Sequence, residues 1–169
     1  MPLTLVVVTA VGQIVHVATE IERKFLVRDT GFLVGDPGVL FRQGYLSRDP
    51  DRTVRVRLAG DEGYLTIKGR PRGAARPEFE FEIPVDDARE LLELCAGSVI
   101  EKTRHRIDHA GLTWDVDVFS GANDGLVIAE VELPTEDHAV VLPDWVGEEV
   151  TGDVRYYNSR LVERPFSTW

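Results

Sequence analysis

The chain has 169 residues, a hydrophobic content of 43% and a formal net charge of -10, values that are typical of one globular domain with its own core. The negative charge argues against general binding to nucleic acid or to anionic membranes, because both need a positive field. It leaves room for an anionic ligand in a locally basic pocket. The single cysteine, Cys95, excludes an intramolecular disulfide and is typical of a reducing compartment, so we expect a cytoplasmic protein in which Cys95 is a buried apolar residue.

Residues 1–18 are apolar, but they lack the basic start of a signal peptide and are short for a membrane span. An extra edge strand, a loosely attached tail and an upstream extension are the alternatives. We favour an extension, because the organised pattern begins only at Glu20. We therefore expect residues 1–18 to be dispensable and residues 19–169 to form the domain.

From Glu20 onward, short runs of alternating apolar and charged residues are separated by turn residues, a pattern that predicts strands. Asp86 or Asp87 is expected to cap a helix that runs to about Cys95. Pro143-Asp144 is expected to open a short helix, and Asp153 to cap another over Val154–Val162. Eight strands are expected, at residues 20–27, 41–47, 53–58, 64–69, 78–83, 99–108, 112–119 and 126–133. The sequence therefore predicts an α+β fold built mainly on an antiparallel, barrel-like sheet.

Nearly every predicted strand has one apolar face and one ionised face, because side chains alternate in an extended chain. Glu20, Glu22 and Lys24 share one face of the first strand, opposite Ile21 and Phe25. The ionised sets of the later strands are Arg55 and Arg57; Lys68, in phase with Thr66; Glu78, Glu80 and Glu82; Lys102, Arg104 and Arg106; Asp115 and Asp117; and Glu130 and Glu132.

The segregation of these charges by sign points to a ligand. A sheet with one face in water would carry mixed polar residues there, whereas like charges on one strand repel each other unless something bridges them. Divalent cations such as Mg²⁺ bridge carboxylates, and phosphate oxygens bridge arginine and lysine. The pattern therefore predicts an ionised interior that holds a metal–polyphosphate complex.

The run from Glu20 to Lys24 resembles the ExExK signature of the CYTH domain, the triphosphate tunnel metalloenzymes. Further motifs follow in that family's order as far as about Val162. They are Gln43-Gly44-Tyr45-Leu46, Arg55-x-Arg57, Thr66-Ile67-Lys68, Glu80-x-Glu82, Lys102-x-Arg104, Asp115-x-Asp117 and Glu130-x-Glu132. The resemblance implies an eight-stranded closed β-barrel, the triphosphate tunnel, with a few flanking and C-terminal helices.

The resemblance also implies roles for the ionised residues. Mg²⁺ or Mn²⁺ would be held by Glu20, Glu22, Glu130 and Glu132. Phosphate would be bound by Lys24, Arg55, Arg57, Lys68, Lys102 and Arg104. Glu80, Glu82, Asp115, Asp117 and Lys68 would form the catalytic set, which balances charge, orients the bases, or positions a second metal and the water. Arg106 and Glu78 lie on the same ionised strand faces as these residues, but they are expected near the tunnel mouth.

The chain most resembles the short bacterial members of the family, which hydrolyse inorganic tripolyphosphate to pyrophosphate and phosphate. An adenylyl cyclase or a thiamine triphosphatase is the alternative enzyme, and a sensor that binds polyphosphate or nucleotide is the alternative without catalysis. The implied partner is a small-molecule triphosphate, with no nucleic acid, no membrane, and a homodimer as an option. Arg155 and Arg160 are the only basic candidates in the terminal helix to help close the tunnel.

Overall fold

The computed structural model describes residues 21–49, 51–70, 77–95, 97, 99–135 and 137–169. Within them the chain forms two compact units, the first comprising residues 42–99 and the second residues 21–41 and 100–169. The described strands and α-helices are β1 (Ile21–Val27), β2 (Val39–Ser47), β3 (Arg52–Ala59), β4 (Glu62–Gly69), β5 (Glu78–Ile83), α1 (Val85–Glu93), β6 (Ile100–His109), β7 (Leu112–Ser120), β8 (Val127–Leu133), β9 (Val146–Glu149) and α2 (Asn158–Glu163).

The first unit is an antiparallel sheet with strand order β5-β4-β3-β2, covered on one face by α1. The alternating sequence of β3 sends Val56 and Leu58 to the helix side, where they form a buried cluster with Ala88 and Leu92 of α1. The charged residues of β3 consequently lie on the opposite face of the sheet.

The second unit has the strand order β6-β7-β8-β1-β9, and its neighbouring strands pair antiparallel. Its core lies on one face, where Phe25, Trp114 and Val131 are among the buried members of one apolar cluster. The indole of Trp114 meets that of Trp145 edge to face, with ring centroids 5.6 Å apart. The residues predicted to be ionised ligands on β1, β6, β7 and β8 alternate with the core residues and therefore lie on the other face.

The predicted mainly antiparallel sheet with few helices is confirmed. Hydrogen bonds do not join the described strands into a ring, so the closed barrel is not confirmed. The described residues form nine strands, one more than the eight expected, because β9 occupies residues 146–149.

Two predictions about helices were wrong, and a third was correct only for its capping residue. Pro143-Asp144 leads into β9 and not into a helix. Helix α1 begins at Val85 after Pro84, without a side-chain cap, so Asp86 and Asp87 lie in its first turn. Asp153 does cap, by accepting a hydrogen bond from the Arg155 amide, but the segment is a 3-10 turn, and the extended residue Tyr157 separates it from α2.

None of the helices in the described part of the chain is both long enough and apolar enough to cross a membrane.

Candidate functional site

The charged face of the second unit begins with Lys24 on β1. Its ammonium group donates hydrogen bonds to the carboxylates of Glu22, on the same strand, and Glu130, on β8. The register explains this convergence, because Lys24 lies directly opposite Glu130 in the β1–β8 ladder, next to the pair of Glu22 and Glu132. Alternation along β1 and antiparallel pairing with β8 thus place two predicted metal ligands around one cation.

Arg104 on β6 makes the most extensive set of ion pairs on this face. Its Nε and Nη2 donate to Oδ1 and Oδ2 of Asp117, each at 2.7 Å, in a bidentate arrangement. Its Nη1 donates to Asp115 Oδ2 at 2.6 Å, and Nη2 also reaches Glu130 Oε2 at 3.1 Å. The guanidinium is therefore fixed by three carboxylates, and these interactions raise its pKa against the opposing effect of burial.

Lys102 is the most deeply buried cation of the site. It is 3% exposed and donates a hydrogen bond to Asp117, which is 1% exposed. Burial lowers the pKa of Lys102, although the charge of Asp117 acts in the opposite direction. The ammonium also lies 5.4 Å from the ring centroid of Phe119 on β7, a cation–π contact.

Glu22 and Glu130 contact the same ammonium but differ in acidity. Burial raises the pKa of Glu22, and the negative charge of Glu130 adds to this effect. Burial acts on Glu130 in the same direction, but the surrounding cations, with Lys102 the strongest, hold its pKa at about 2. Glu130 is therefore firmly ionised, whereas Glu22 accepts a proton more readily.

The charged face of the first unit is organised by Glu80 on β5. Its carboxylate accepts hydrogen bonds from Thr66 Oγ1 at 2.7 Å, from Arg57 Nη2 at 3.3 Å and from Arg55 Nη2 at 3.4 Å. The β4–β5 register puts Thr66 directly opposite Glu80, and the β3–β4 register puts Arg55 directly opposite Thr66. The carboxylate of Glu80 thus accepts hydrogen bonds from two arginines.

Lys68 lies further along the same face, where its ammonium is 2.8 Å from a carboxylate oxygen of its cross-strand partner Glu78. Glu82 lies opposite Tyr64 in the β4–β5 ladder. The ring of Tyr64 contacts Arg57, with 5.2 Å from the guanidinium carbon to the ring centroid. A hydrogen bond to Glu62 is the main reason that the pKa of Tyr64 rises to about 12.

The acidic residues of the second unit offer carboxylate oxygens as donors for a cation. Among the described residues, no group of three His, Cys, Asp or Glu side chains is arranged to hold a metal ion. Glu22 and Glu130 do converge on one positive charge, the ammonium of Lys24, and carboxylate oxygens are the donors that Mg²⁺ and Mn²⁺ prefer. The donor chemistry therefore fits a divalent cation, while predicted ligand Glu20 lies outside the described residues.

Within each unit, most of the predicted site residues that the structure describes come together. Arg106 is the exception on β6, since its side chain is 74% exposed and reaches only Asp115, at 3.2 Å. The two basic candidates of the predicted terminal helix have local acidic partners: Arg155 contacts Asp153, and Arg160 contacts Glu163.

Sequence reasoning missed the neutral residues that position the charged ones. Thr66 is fully buried and bridges Arg55 and Glu80, and Phe41 packs under the guanidinium of Arg104 at 5.2 Å. The signal for Thr66 was present, because it is in phase with Lys68. The contact of Phe41 depends on tertiary packing and has no local signature.

The fold is a mainly antiparallel sheet, and its ionised face pairs carboxylates with arginine and lysine. Comparison with known proteins gives the family. The family model for the CYTH domain matches residues 18–164. The chain therefore belongs to the CYTH domain family, as the ordered motifs predicted.

Two relatives and one solved structure are similar to this chain over most of its length. An inorganic triphosphatase of Acetivibrio thermocellus is 52% identical over 151 residues, covering 89% of this chain and 97% of the relative. An inorganic triphosphatase of Nitrosomonas europaea is 40% identical over 148 residues, covering 85% of this chain and 96% of the relative. A crystal structure of an inorganic triphosphatase matches with a TM-score of 0.67 and 38% identity, covering 87% of this chain and 96% of that one.

Proposed function

We propose that this protein hydrolyses inorganic tripolyphosphate to pyrophosphate and phosphate, and that it needs Mg²⁺ or Mn²⁺ to do so. The observation that carries the proposal is the ionised face of each unit, where basic side chains that suit phosphate alternate with carboxylates that suit a cation. The two relatives named inorganic triphosphatase, at 52% and 40% identity, support the same reaction.

The basic residues are suited to bind the substrate. A triphosphate carries several negative charges that repel a nucleophile until they are neutralised. The proposed phosphate-binding residues are Arg55, Arg57 and Lys68 in the first unit, and Lys24, Lys102 and Arg104 in the second. Arg104 is already held in a fixed orientation by Asp117. A preorganised cation stabilises the charge that develops on the leaving oxygen without having to reorient during the reaction.

The carboxylates divide into two proposed groups. Glu20, Glu22, Glu130 and Glu132 would hold the divalent ion, which supplies charge neutralisation and a more acidic water when bound. Glu80, Glu82, Asp115 and Asp117, with Lys68, would orient the bases and the attacking water. The low pKa of Glu130 suits a metal ligand, because this carboxylate stays ionised throughout the neutral range.

The direct experiment is phosphate release from tripolyphosphate, ATP and thiamine triphosphate, each with Mg²⁺, with Mn²⁺ and with EDTA. We expect release from tripolyphosphate with either metal and none with EDTA. Release from none of the three substrates would refute a hydrolase and favour a polyphosphate or nucleotide sensor. Formation of cyclic AMP from ATP would favour an adenylyl cyclase. Preferential cleavage of thiamine triphosphate would favour a thiamine triphosphatase.

Two variants test the assignment of metal ligands. Glu20→Ala and Glu132→Ala should each abolish turnover through loss of the metal, and added Mn²⁺ should restore part of it if affinity alone is reduced. The matched control is Glu148→Ala, which removes a carboxylate from β9 outside the proposed ligand set. Normal turnover in both ligand variants would contradict the proposed metal site.

We further propose that eight strands close into a barrel and that residues 1–18 are dispensable. We also propose a cytoplasmic homodimer that has no nucleic-acid or membrane partner.

A further inference from the structure

Gln43 is a buried polar residue with an unused hydrogen-bond donor. It lies on β2 and is 2% exposed, and its side-chain Nε2 has no hydrogen-bond partner in the part of the chain that the structure describes. Buried amide groups are nearly always paired, because an unpaired donor loses its hydration without compensation. The Nε2 group therefore needs an acceptor that the described residues do not provide.

The position of Gln43 on β2 places it on the charged face of the first unit. The next residue, Gly44, faces the apolar cluster, since a Cβ there would lie 2.7 Å from Sγ of Cys95, which packs against that cluster. Gln43 lies on the opposite face by alternation. On the neighbouring strand β3, Val56 belongs to the same cluster, so Arg55 and Gln43 share a face.

A second unused donor lies on this face. The Nε of Arg55 is buried and has no partner among the described residues, although its Nη2 contacts Thr66 and Glu80. Glu80 already accepts hydrogen bonds from Thr66 and from Arg57. Two buried donors of this face, Gln43 Nε2 and Arg55 Nε, thus have no acceptor among the described residues, an arrangement that suits an anion with several oxygens.

Given the proposed tripolyphosphatase function, we propose that Gln43 is an additional phosphate-binding residue. Its Nε2 donates a hydrogen bond to an oxygen of tripolyphosphate bound on the face that carries Arg55. The amide supplies a directional donor without a charge, so it needs no carboxylate partner in the free protein. A hydrogen bond to a charged oxygen in a desolvated position is stronger than one in water.

The test is Gln43→Met, which keeps the length of the side chain and removes its polar atoms. The KM for tripolyphosphate should rise about 10-fold to 100-fold, the range for losing one hydrogen bond to a charged group, with a smaller change in kcat. The melting temperature without ligand should stay the same or rise, because an unpaired buried amide has been removed. Leu46→Met is the matched control, since Leu46 is on the same strand and packs against the apolar cluster.

A second variant separates binding from packing. Gln43→Glu places a carboxylate of almost the same shape on this face, so the KM should rise further than in Gln43→Met and the increase should diminish as the pH falls. An unchanged KM in both variants would overturn the inference. A lower melting temperature without a higher KM would assign Gln43 a structural role instead.

Binding measurements keep this inference distinct from the proposed reaction. Calorimetric titration of the intact protein with tripolyphosphate in EDTA measures affinity without turnover. Weaker binding by Gln43→Met than by the wild type supports the role of Gln43, and equal affinity refutes it. Absence of phosphate release by the wild type in the presence of metal would refute the reaction alone.

Discussion

The two charged faces hold their cations in different ways. In the second unit, Arg104 makes bidentate contacts of 2.7 Å with Asp117, whose side chain is 1% exposed. In the first unit, Arg55 and Arg57 share Glu80 at 3.3 to 3.4 Å, and the Glu80 side chain is 38% exposed. The arginine–carboxylate contacts are therefore short and buried in the second unit, and longer and partly exposed in the first.

The difference indicates that the charges of one face stabilise the fold and those of the other bind the substrate. Buried charges depend on each other, because removing one partner leaves the other desolvated and uncompensated. Partly exposed ion pairs contribute little to stability and can exchange one acceptor for another. We infer that the second face is a rigid electrostatic framework, and that the arginines of the first face can exchange Glu80 for a phosphate.

The largest effect is expected from Asp117→Ala. This change removes the hydrogen-bond partner of the buried Lys102 and the bidentate partner of Arg104, so the free energy of unfolding should fall by about 3–5 kcal/mol. Urea denaturation measures it. The comparison is Glu80→Ala in the first unit, which should cost less than about 1 kcal/mol. Equal losses in the two variants would show that the faces do not differ in rigidity.

Arg57→Ala should give a large effect on substrate capture and a small one on stability. We expect the KM for tripolyphosphate to rise at least about 10-fold, as for the loss of a charged hydrogen bond. The free energy of unfolding should change by less than about 1 kcal/mol, because the contacts with Glu80 are long and partly exposed. Arg70→Ala is the control, since Arg70 has a side-chain exposure of 76%. A large loss of stability with an unchanged KM would show that Arg57 stabilises the fold and does not bind the substrate.

The sequence already contained the alternation on which both faces depend. The pattern in β1 and β8 was sufficient to predict that Glu22, Lys24 and Glu130 share a face, because a period of two leaves no other option. What the pattern could not give was the partner of each charge. Asp117 joins Lys102 and Arg104 through the β6–β7 register, and register depends on the whole sheet.

The errors came from short segments with weak local signals. Pro143-Asp144 has the composition of a helix start, but residues 146–149 pair with β1 instead, so tertiary pairing overrode local preference. The terminal segment was predicted as one helix, yet the extended backbone of Tyr157 interrupts it. Helix signals over so few residues are easily outweighed by packing.

A smaller effect on stability is expected from the ion pair of Arg23 and Glu149, on the opposite face of β1. Arg23 donates to both carboxylate oxygens of Glu149, at 2.9 and 2.7 Å, and this hydrogen bonding is the main cause that lowers the pKa of Glu149 from 4.5. A lowered pKa in the folded state stabilises the protein above pH 4.5, and the stabilisation is lost as the pH falls through the lowered value.

The variant Glu149→Gln should therefore melt at a slightly lower temperature than the wild type at pH 7, and the difference should shrink as the pH falls below 4.5. Melting curves from pH 7 to pH 2.5 test this. A difference that grows with acidity would contradict the assigned direction of the pKa shift.

Deletion of residues 1–18 should have the smallest effect. We expect an unchanged melting temperature and unchanged tripolyphosphate turnover, because the residues assigned to both faces begin at Glu20. A large fall in melting temperature would show that these residues belong to the folded domain.

Metal-dependent hydrolysis of tripolyphosphate can be followed directly by phosphorus NMR of the reaction mixture. With Mg²⁺ or Mn²⁺ we predict that the tripolyphosphate signals are replaced by those of pyrophosphate and orthophosphate in equal amounts, and that EDTA prevents the change. Intact tripolyphosphate in the presence of either metal would contradict the account.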